Sequence, residues 1–194
     1  AEFLIVAPTK EVAQLAFDQA TGMIDLDRGL KRRFHTQDHK KPITYLATGA
    51  TLKIKAFSPD VMTGVKPAGV LVDEEHVVAE RADAERVMGQ IRGGMISQPE
   101  AFLVIITTQS EKPPRGVFKS DLQKARAVRD GLIQGHTLPI LYELPPEIQK
   151  ASTIPGQAAP WENYECWQMV LPNAGRSITV ERLRQDYQEA KEKG

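Results

Sequence analysis

The sequence has almost no cysteine, no excess of either charge and no long apolar run, and each of these absences excludes a class of protein. Cys166 is the only cysteine among 194 residues, so neither an intrachain disulfide nor a multi-cysteine metal site can form, and a reducing compartment fits best. Basic and acidic residues balance at 25 each, which argues against a surface that is basic overall and binds nucleic acid everywhere. The longest apolar runs are about five residues against the roughly 20 that span a bilayer, so we expect no membrane protein.

The composition that remains is typical of a globular chain. Hydrophobic residues make up 41% and charged residues 26%, which excludes a disordered or collagenous chain. A chain of this length can bury a core without disulfides. It begins at Ala1-Glu2 without an initiator methionine, a basic leader or a cleavage motif, and enters a strand-like run at once. We therefore expect a fragment of a longer protein.

Short apolar runs followed by helical patterns dominate residues 1–144. Helices are expected after the first three runs: one capped by Thr9, one at 87–95, and one at 122–132 with a capping box from Ser120 and Gln123. Three buried strands, each followed by an amphipathic helix, predict an α/β fold with a mainly parallel sheet flanked by helices. The runs, including a final strand, are Phe3–Ala7, Gly69–Val72, Phe102–Ile106 and Leu138–Leu144.

Two further regions differ from this pattern. Between the first two runs lie three β-rich stretches, the last two resembling a hairpin: Leu30–Thr36, Ile43–Ala47 and Leu52–Phe57. Beyond residue 144 the chain is rich in proline and shows little periodicity until a last helix begins near Thr179. We therefore expect a core at 1–144, and a linker segment with a terminal helix at 145–194.

Polar residues follow two successive strands at the point where each ends. Asp73 and Glu74 come directly after Val72, and Thr107 and Thr108 come directly after Ile106. Ligands of open parallel sheets bind beyond the carboxyl ends of the strands. In P-loop nucleotide hydrolases an acid at such a position binds Mg²⁺, and the next acid polarises the attacking water. Alternatively, the acids only stabilise the first turn of the following helix, and the threonines only end a strand.

Three weaker signals leave alternatives open. His76 could complete a metal site with Asp73, Glu74 and Glu75, or be a hydrogen-bonded loop residue. The basic residues Lys31, Arg32, Arg33, Lys40 and Lys41 could contact phosphate or supply an arginine finger, or be solvated strand ends. No G-x-x-x-x-G-K-[ST] loop and no nucleophile elbow is present, so the sequence as given has no phosphate cradle.

The order of these segments resembles the ATPase half of the large terminase subunit of tailed bacteriophages, over nearly the whole chain. The most specific part is Val70–His76 with the segment from Ser58 to Pro67 before it. The other matching segments are Phe3–Thr9 with Gln14–Phe17, Ile105–Thr108, Trp167–Asn173, Gly175–Ile178 and Leu183–Lys191.

This resemblance implies a RecA-like P-loop core that uses ATP and Mg²⁺ to drive double-stranded DNA into a procapsid. By motif match, Asp73 would bind the metal, Glu74 would be the catalytic acid, and Thr107 and Thr108 would form the nucleotide-sensing coupling motif. The phosphate-binding loop would precede residue 1 and a nuclease domain would follow residue 194, so the fragment alone is expected to be inactive. The implied partners are the portal protein, the small terminase subunit and further copies of the chain, in the cytoplasm of the bacterial host.

A second hypothesis comes from a different class. The chain would be a non-enzymatic α/β interaction module whose acidic strand end is structural. A third makes Asp73, Glu74, Glu75 and His76 a metal site for direct hydrolysis. All hypotheses that assign chemistry depend on one spatial expectation: residues 73–74 and 107–108 emerge at the same edge of one parallel sheet.

Overall fold

The computed structural model of the chain describes residues 1–37, 42–63, 65–150 and 157–193. The chain divides into two compact units, residues 1–124 and 125–194, and each is considered by itself. Across the described residues, no helix combines the length and the apolar character that a bilayer crossing requires.

Unit 1 is built on a six-stranded, mostly parallel sheet, which confirms the predicted α/β class. Its strand order is β2-β3-β4-β1-β5-β6. The central pairs β4-β1, β1-β5 and β5-β6 are parallel, and β2-β3 and β3-β4 are antiparallel, so the predicted hairpin is present. The strands are β1 (Glu2–Ala7), β2 (Phe34–Thr36), β3 (Pro42–Tyr45), β4 (Ala50–Ala56), β5 (Gly69–Asp73) and β6 (Phe102–Ile106).

Eight α-helices accompany the strands in the described chain. The predicted helices after β1, β5 and near the C-terminus are present, and Thr9 and Thr179 cap α1 and α8 by accepting backbone N–H bonds at 3.3 Å. The helices are α1 (Lys10–Leu26), α2 (Arg28–Lys31), α3 (Glu75–Val78), α4 (Ala84–Met95), α5 (Gly116–Arg129), α6 (Pro146–Gln149), α7 (Tyr164–Trp167) and α8 (Val180–Glu192).

Two apolar cores cover the two sides of the sheet. In β1, Leu4 and Val6 join one core, whereas Ile5 and Ala7 join the other, because successive strand side chains point to opposite faces. The first core includes four residues of α4 at the predicted helical spacing: Val87, Met88, Ile91 and Met95. The second packs α1 against the sheet, with Phe17 almost fully buried. The sheet is therefore fixed firmly between helices around β1 and β5.

Strand β6 is less buried than its sequence indicates. Phe102, Val104 and Ile106 are exposed on one face, and Leu103 and Ile105 pack against the first core from the other. No strand in the described residues pairs with the outer edge of β6. The expectation of a strand covered on both faces is therefore wrong for β6, since helices cover one face only.

Three other local expectations are also wrong. The stretch Leu30–Thr36 is a strand only at Phe34–Thr36. Arg28–Lys31 form a short helix instead, because the Asp27 carboxylate caps it by accepting N–H bonds from Gly29 and Leu30 at 2.6 and 2.9 Å. Helix α5 begins at Gly116, so Ser120 lies inside it and donates to the Val117 carbonyl, where it cannot act as a cap.

The third is the predicted strand at 138–144, which is absent from the structure. The segment runs without strand pairing, and Leu138, Ile140 and Tyr142 are exposed. The segment is held at Glu143, whose carboxylate accepts hydrogen bonds from Arg126 and Arg129. An apolar run becomes a strand only where another strand satisfies its backbone, and none of the described strands does so here.

Unit 2 is held together by an aromatic cluster around α8. Tyr187 of α8 packs edge-on against Trp161 and Trp167, with ring centroids 5.8 and 5.6 Å away. Its hydroxyl donates to Glu162 Oε2 at 2.8 Å, and Lys191 Nζ approaches the same oxygen at 2.6 Å. These contacts explain why the proline-rich segment and the last helix form one unit. The functional boundary at residue 144 stays a prediction.

Candidate functional site at the carboxyl edge of the sheet

The candidate site lies where β5 and β6 end side by side. The two strands are parallel neighbours in a register that pairs Asp73 with Ile106. The residues that follow, Glu74 and Thr107, therefore leave the sheet at the same edge. The structure thus brings together the two polar strand ends that the sequence marks.

Glu74 connects β5 to α3 in an unusual backbone conformation. Its φ of 51° and ψ of 54° are left-handed, and it is the one non-glycine residue with positive φ in the described chain. This conformation costs an L-residue roughly 1 kcal/mol and is concentrated at functional sites. It turns the chain from strand to helix within one residue, and it leaves the Glu74 side chain 37% exposed at the edge.

His76 links the two strand ends. Its backbone N–H donates to Thr107 Oγ1 at 3.1 Å, and its ring Nδ1 lies 3.0 Å from the same oxygen. Nδ1 also lies 3.2 Å from Glu74 Oε2, within ion-pair distance. The imidazole is 20% exposed and packs edge-on against Phe118, with ring centroids 6.4 Å apart. Of the two interpretations left open for His76, a hydrogen-bonded role is therefore the one that these contacts favour.

The threonines complete the network. Thr108 Oγ1 donates a long hydrogen bond of 3.5 Å to Glu74 Oε2, and Thr107 Oγ1 donates to the Thr108 carbonyl at 3.3 Å. Glu74 Oε2 therefore faces both His76 and Thr108, whereas no described residue donates a hydrogen bond to Oε1. That second oxygen is available to accept a hydrogen bond from water.

Glu75 is the residue whose environment sequence reasoning missed. It points into the core, with 2% of its surface exposed, and its Oε1 has no hydrogen-bond partner in the described chain. Burial and the neighbouring Asp121 carboxyl raise the pKa of Glu75 to about 8, although Arg92 opposes the shift. Arg92 itself pairs with Asp121. The burial of Glu75 could have been predicted from helical spacing. Glu75 lies three residues before Val78, on the same face of the helix, and Val78 is fully buried.

The geometry speaks against a metal site made by protein side chains alone. Asp73 ends β5 partly exposed, Glu74 faces the threonines and Glu75 is buried in the core. Among the residues that the structure describes, no three histidine, cysteine, aspartate or glutamate side chains converge on one point. The hypothesis of a metal site formed by residues 73–76 is therefore wrong for this arrangement.

Of the basic residues singled out from the sequence, Lys31, Arg32 and Arg33 make no hydrogen bond or ion pair with this edge among the described residues. Lys31 pairs with Asp25 at 3.1 Å with both side chains largely exposed, and Arg32 donates to the Arg28 carbonyl. Lys40 and Lys41 lie outside the described residues. An exposed pair such as Lys31–Asp25 contributes little to stability.

The fold and this edge together define an α/β protein with an acid–hydroxyl site at the carboxyl ends of parallel strands. The crystal structure of the HK97 bacteriophage large terminase matches it with a TM-score of 0.75 and 19% identity, over 98% of this chain and 36% of that chain. The resemblance to phage large terminases is thereby confirmed at the level of the fold. The chain spans about a third of that terminase.

A second phage terminase structure matches more weakly. The ATPase domain of the Thermus phage P74-26 large terminase gives a TM-score of 0.42 at 15% identity, over 58% of this chain and 49% of that chain. Comparison of the sequence alone finds no matching protein family and no matching curated protein.

Proposed function

We propose that this chain forms the ATPase part of a phage large terminase, which hydrolyses ATP to drive double-stranded DNA into a procapsid. The observation that carries the proposal is the meeting of Glu74 with His76, Thr107 and Thr108 at the carboxyl edge of β5 and β6. It occurs within a fold that matches the HK97 large terminase over nearly the whole chain. Nucleotides bind at this edge of open parallel sheets.

The side chains at the edge fit Mg²⁺ only when it is shared with a nucleotide. Mg²⁺ prefers oxygen ligands and is commonly held by one or two carboxylates together with substrate phosphates. Asp73 offers such a carboxylate at the end of β5, and no cluster of three ligands exists in the described chain to hold an ion without phosphate. When bound, Mg²⁺ would neutralise charge on the transferred phosphate.

Glu74 is assigned the catalytic role because its two carboxylate oxygens have different surroundings. Oε2 faces His76 and Thr108, which fixes the carboxylate, and Oε1 is left to orient water and accept its proton. Thr108 contacts that carboxylate and Thr107 contacts His76 beside it, and we assign them the coupling role because they are placed to respond to what Glu74 binds. Both threonines follow β6 directly, so a change at the site would be passed to the sheet edge.

The remaining parts of the activity would come from outside these residues. We propose that the phosphate-binding loop and the nuclease belong to other regions of the natural protein. None of the described strands pairs with the outer edge of β6, so a further strand of the natural protein could add there. The proposed partners are the portal protein, the small terminase subunit and further copies of the chain, in the cytoplasm of the bacterial host.

The test uses the protein encoded by the natural reading frame that contains this sequence. We expect Mg²⁺-dependent ATP hydrolysis, and Glu74→Gln should lower kcat by about 10²–10⁴-fold while nucleotide affinity is retained. Glu80→Gln is the matched control, because it makes the same chemical change at an exposed glutamate in the turn after α3 and should keep wild-type turnover. Unchanged turnover of Glu74→Gln would reject the role assigned to Glu74.

One observation favours a second function. The exposed apolar face of β6, formed by Phe102, Val104 and Ile106, is a surface on which an interaction module could bind a partner. If the natural protein neither binds nor hydrolyses ATP, the non-enzymatic interaction module becomes the better account of this chain.

A further inference from the structure

We infer that His76 is a positioning residue, which uses its Nδ1–H to hold the ends of β5 and β6 together and to keep the Glu74 carboxylate in place. The inference rests on the proposed function and extends it by one residue. His76 is the side chain that approaches both partners, at 3.0 Å from Thr107 Oγ1 and 3.2 Å from Glu74 Oε2.

The contacts of Nδ1 favour a proton on that nitrogen. Thr107 Oγ1 accepts the backbone N–H of His76 at 3.1 Å, and its own proton can be directed to the Thr108 carbonyl at 3.3 Å. In that arrangement the contact between Nδ1 and Thr107 Oγ1 is a hydrogen bond donated by Nδ1. The nearby Glu74 carboxylate favours the same tautomer, because an Nδ1 lone pair at 3.2 Å would repel it.

The contacts of His76 stabilise a backbone conformation at Glu74 that is unfavourable on its own. Glu74 occupies the left-handed region, where an L-residue persists only if its surroundings fix it. His76, two residues later, anchors this turn to Thr107 through both a backbone and a side-chain bond. Loss of the Nδ1–H would leave the backbone bond intact and free the Glu74 carboxylate to move.

Two substitutions separate this role from simple packing. His76→Asn places an amide N–H near the position of Nδ1 but loses the ring contact with Phe118, whereas His76→Phe keeps an aromatic ring and loses the N–H. In the natural protein we expect His76→Phe to lower kcat at least about tenfold, equivalent to ~1.4 kcal/mol, with little change in KM for ATP. His76→Asn should keep most of kcat. A purely structural role predicts the opposite order.

A measurement that does not depend on ATP hydrolysis checks the contact between His76 and Thr107. In the 194-residue chain, the ¹⁵N signals of the His76 imidazole should show Nδ1 protonated and Nε2 unprotonated at a pH where the ring is neutral. Thr107→Val should shift the population toward the other tautomer. A neutral His76 with its proton on Nε2 in the wild-type chain overturns the inference.

The outcomes also distinguish a failure of this inference from a failure of the proposed function. If wild-type protein hydrolyses ATP and Glu74→Gln abolishes it, but His76→Phe keeps wild-type kcat, the inference fails and the proposed function stands. If the natural protein shows no Mg²⁺-dependent hydrolysis, the proposed function fails, and the positioning role fails with it.

Discussion

Replacing the buried Glu75 by glutamine should make the protein more stable at neutral and alkaline pH. The Glu75 carboxyl is 2% exposed beside Asp121, and burial raises its pKa from 4.5 to about 8. The folded protein therefore keeps a proton on Glu75 at pH 7, whereas the unfolded chain releases it. Glutamine is neutral at every pH and has nearly the same shape, so it removes only this proton dependence.

The sign and the magnitude follow from proton linkage. Below pH 4.5 the side chain is protonated in both states, and its full contribution to stability is present. Between pH 4.5 and 8 the unfolded state binds fewer protons than the folded state, so the free energy of unfolding falls as pH rises. Each pKa unit corresponds to about 1.4 kcal/mol, which gives a loss on the order of 4 to 5 kcal/mol across the window as an upper bound.

The assay is urea unfolding of the wild-type chain and Glu75→Gln at several pH values from about 5 to 8. The difference in free energy of unfolding should move in favour of glutamine by up to about 1.4 kcal/mol per pH unit. Glu80→Gln, which removes an exposed carboxylate, should instead run parallel to wild type. Parallel curves for Glu75→Gln and wild type would show that Glu75 is not held neutral by the fold, and the reasoning would be refuted.

Two further predictions concern Glu162 and Glu74. The pKa of Glu162 is lowered to about 2, first by Lys191 and then by the Ala159 N–H and Tyr187, so its stabilisation is present above about pH 4.5 and is lost as pH falls toward 2. Glu162→Gln should unfold more easily than wild type at about pH 6 and equally at about pH 2, as followed by Trp161 and Trp167 fluorescence; a constant difference would contradict this. Glu74→Gly should be more stable than Glu74→Ala by about 0.5–1 kcal/mol in urea, because glycine adopts positive φ without strain. A more stable alanine variant would exclude strain at this position.

Much of the parallel sheet could be predicted because its signals are local. Strand β1 is a continuous apolar run, and helix α1 has a capping threonine at Thr9, and both form where the sequence indicates. The placement of residues 73 and 107 at one edge then follows from topology, since parallel strands end on the same side. No distant contact has to be known for these steps.

The structure of residues 138–144 could not be predicted from the local pattern. Its apolar content equals that of a strand, but β-structure requires a second strand to satisfy the backbone, and sequence pattern cannot tell whether one is available. Strand β6 shows the same limit in another form. Its sequence matches a strand covered on both faces, yet Phe102, Val104 and Ile106 are exposed, because coverage depends on which other segments pack there.

The three successive acids at 73–75 show why the site itself was only partly predictable. In the sequence they form one acidic run, yet each has a different environment: Asp73 ends a strand, Glu74 occupies a left-handed turn, and Glu75 starts a helix with its side chain in the core. The left-handed residue joins β5 to α3, so that Glu74 lies in the turn beside the threonines and Glu75 begins the helix with its side chain in the core. The strain at Glu74 and the burial of Glu75 are therefore two results of the same turn, and a change that relaxes one of them should also alter the other.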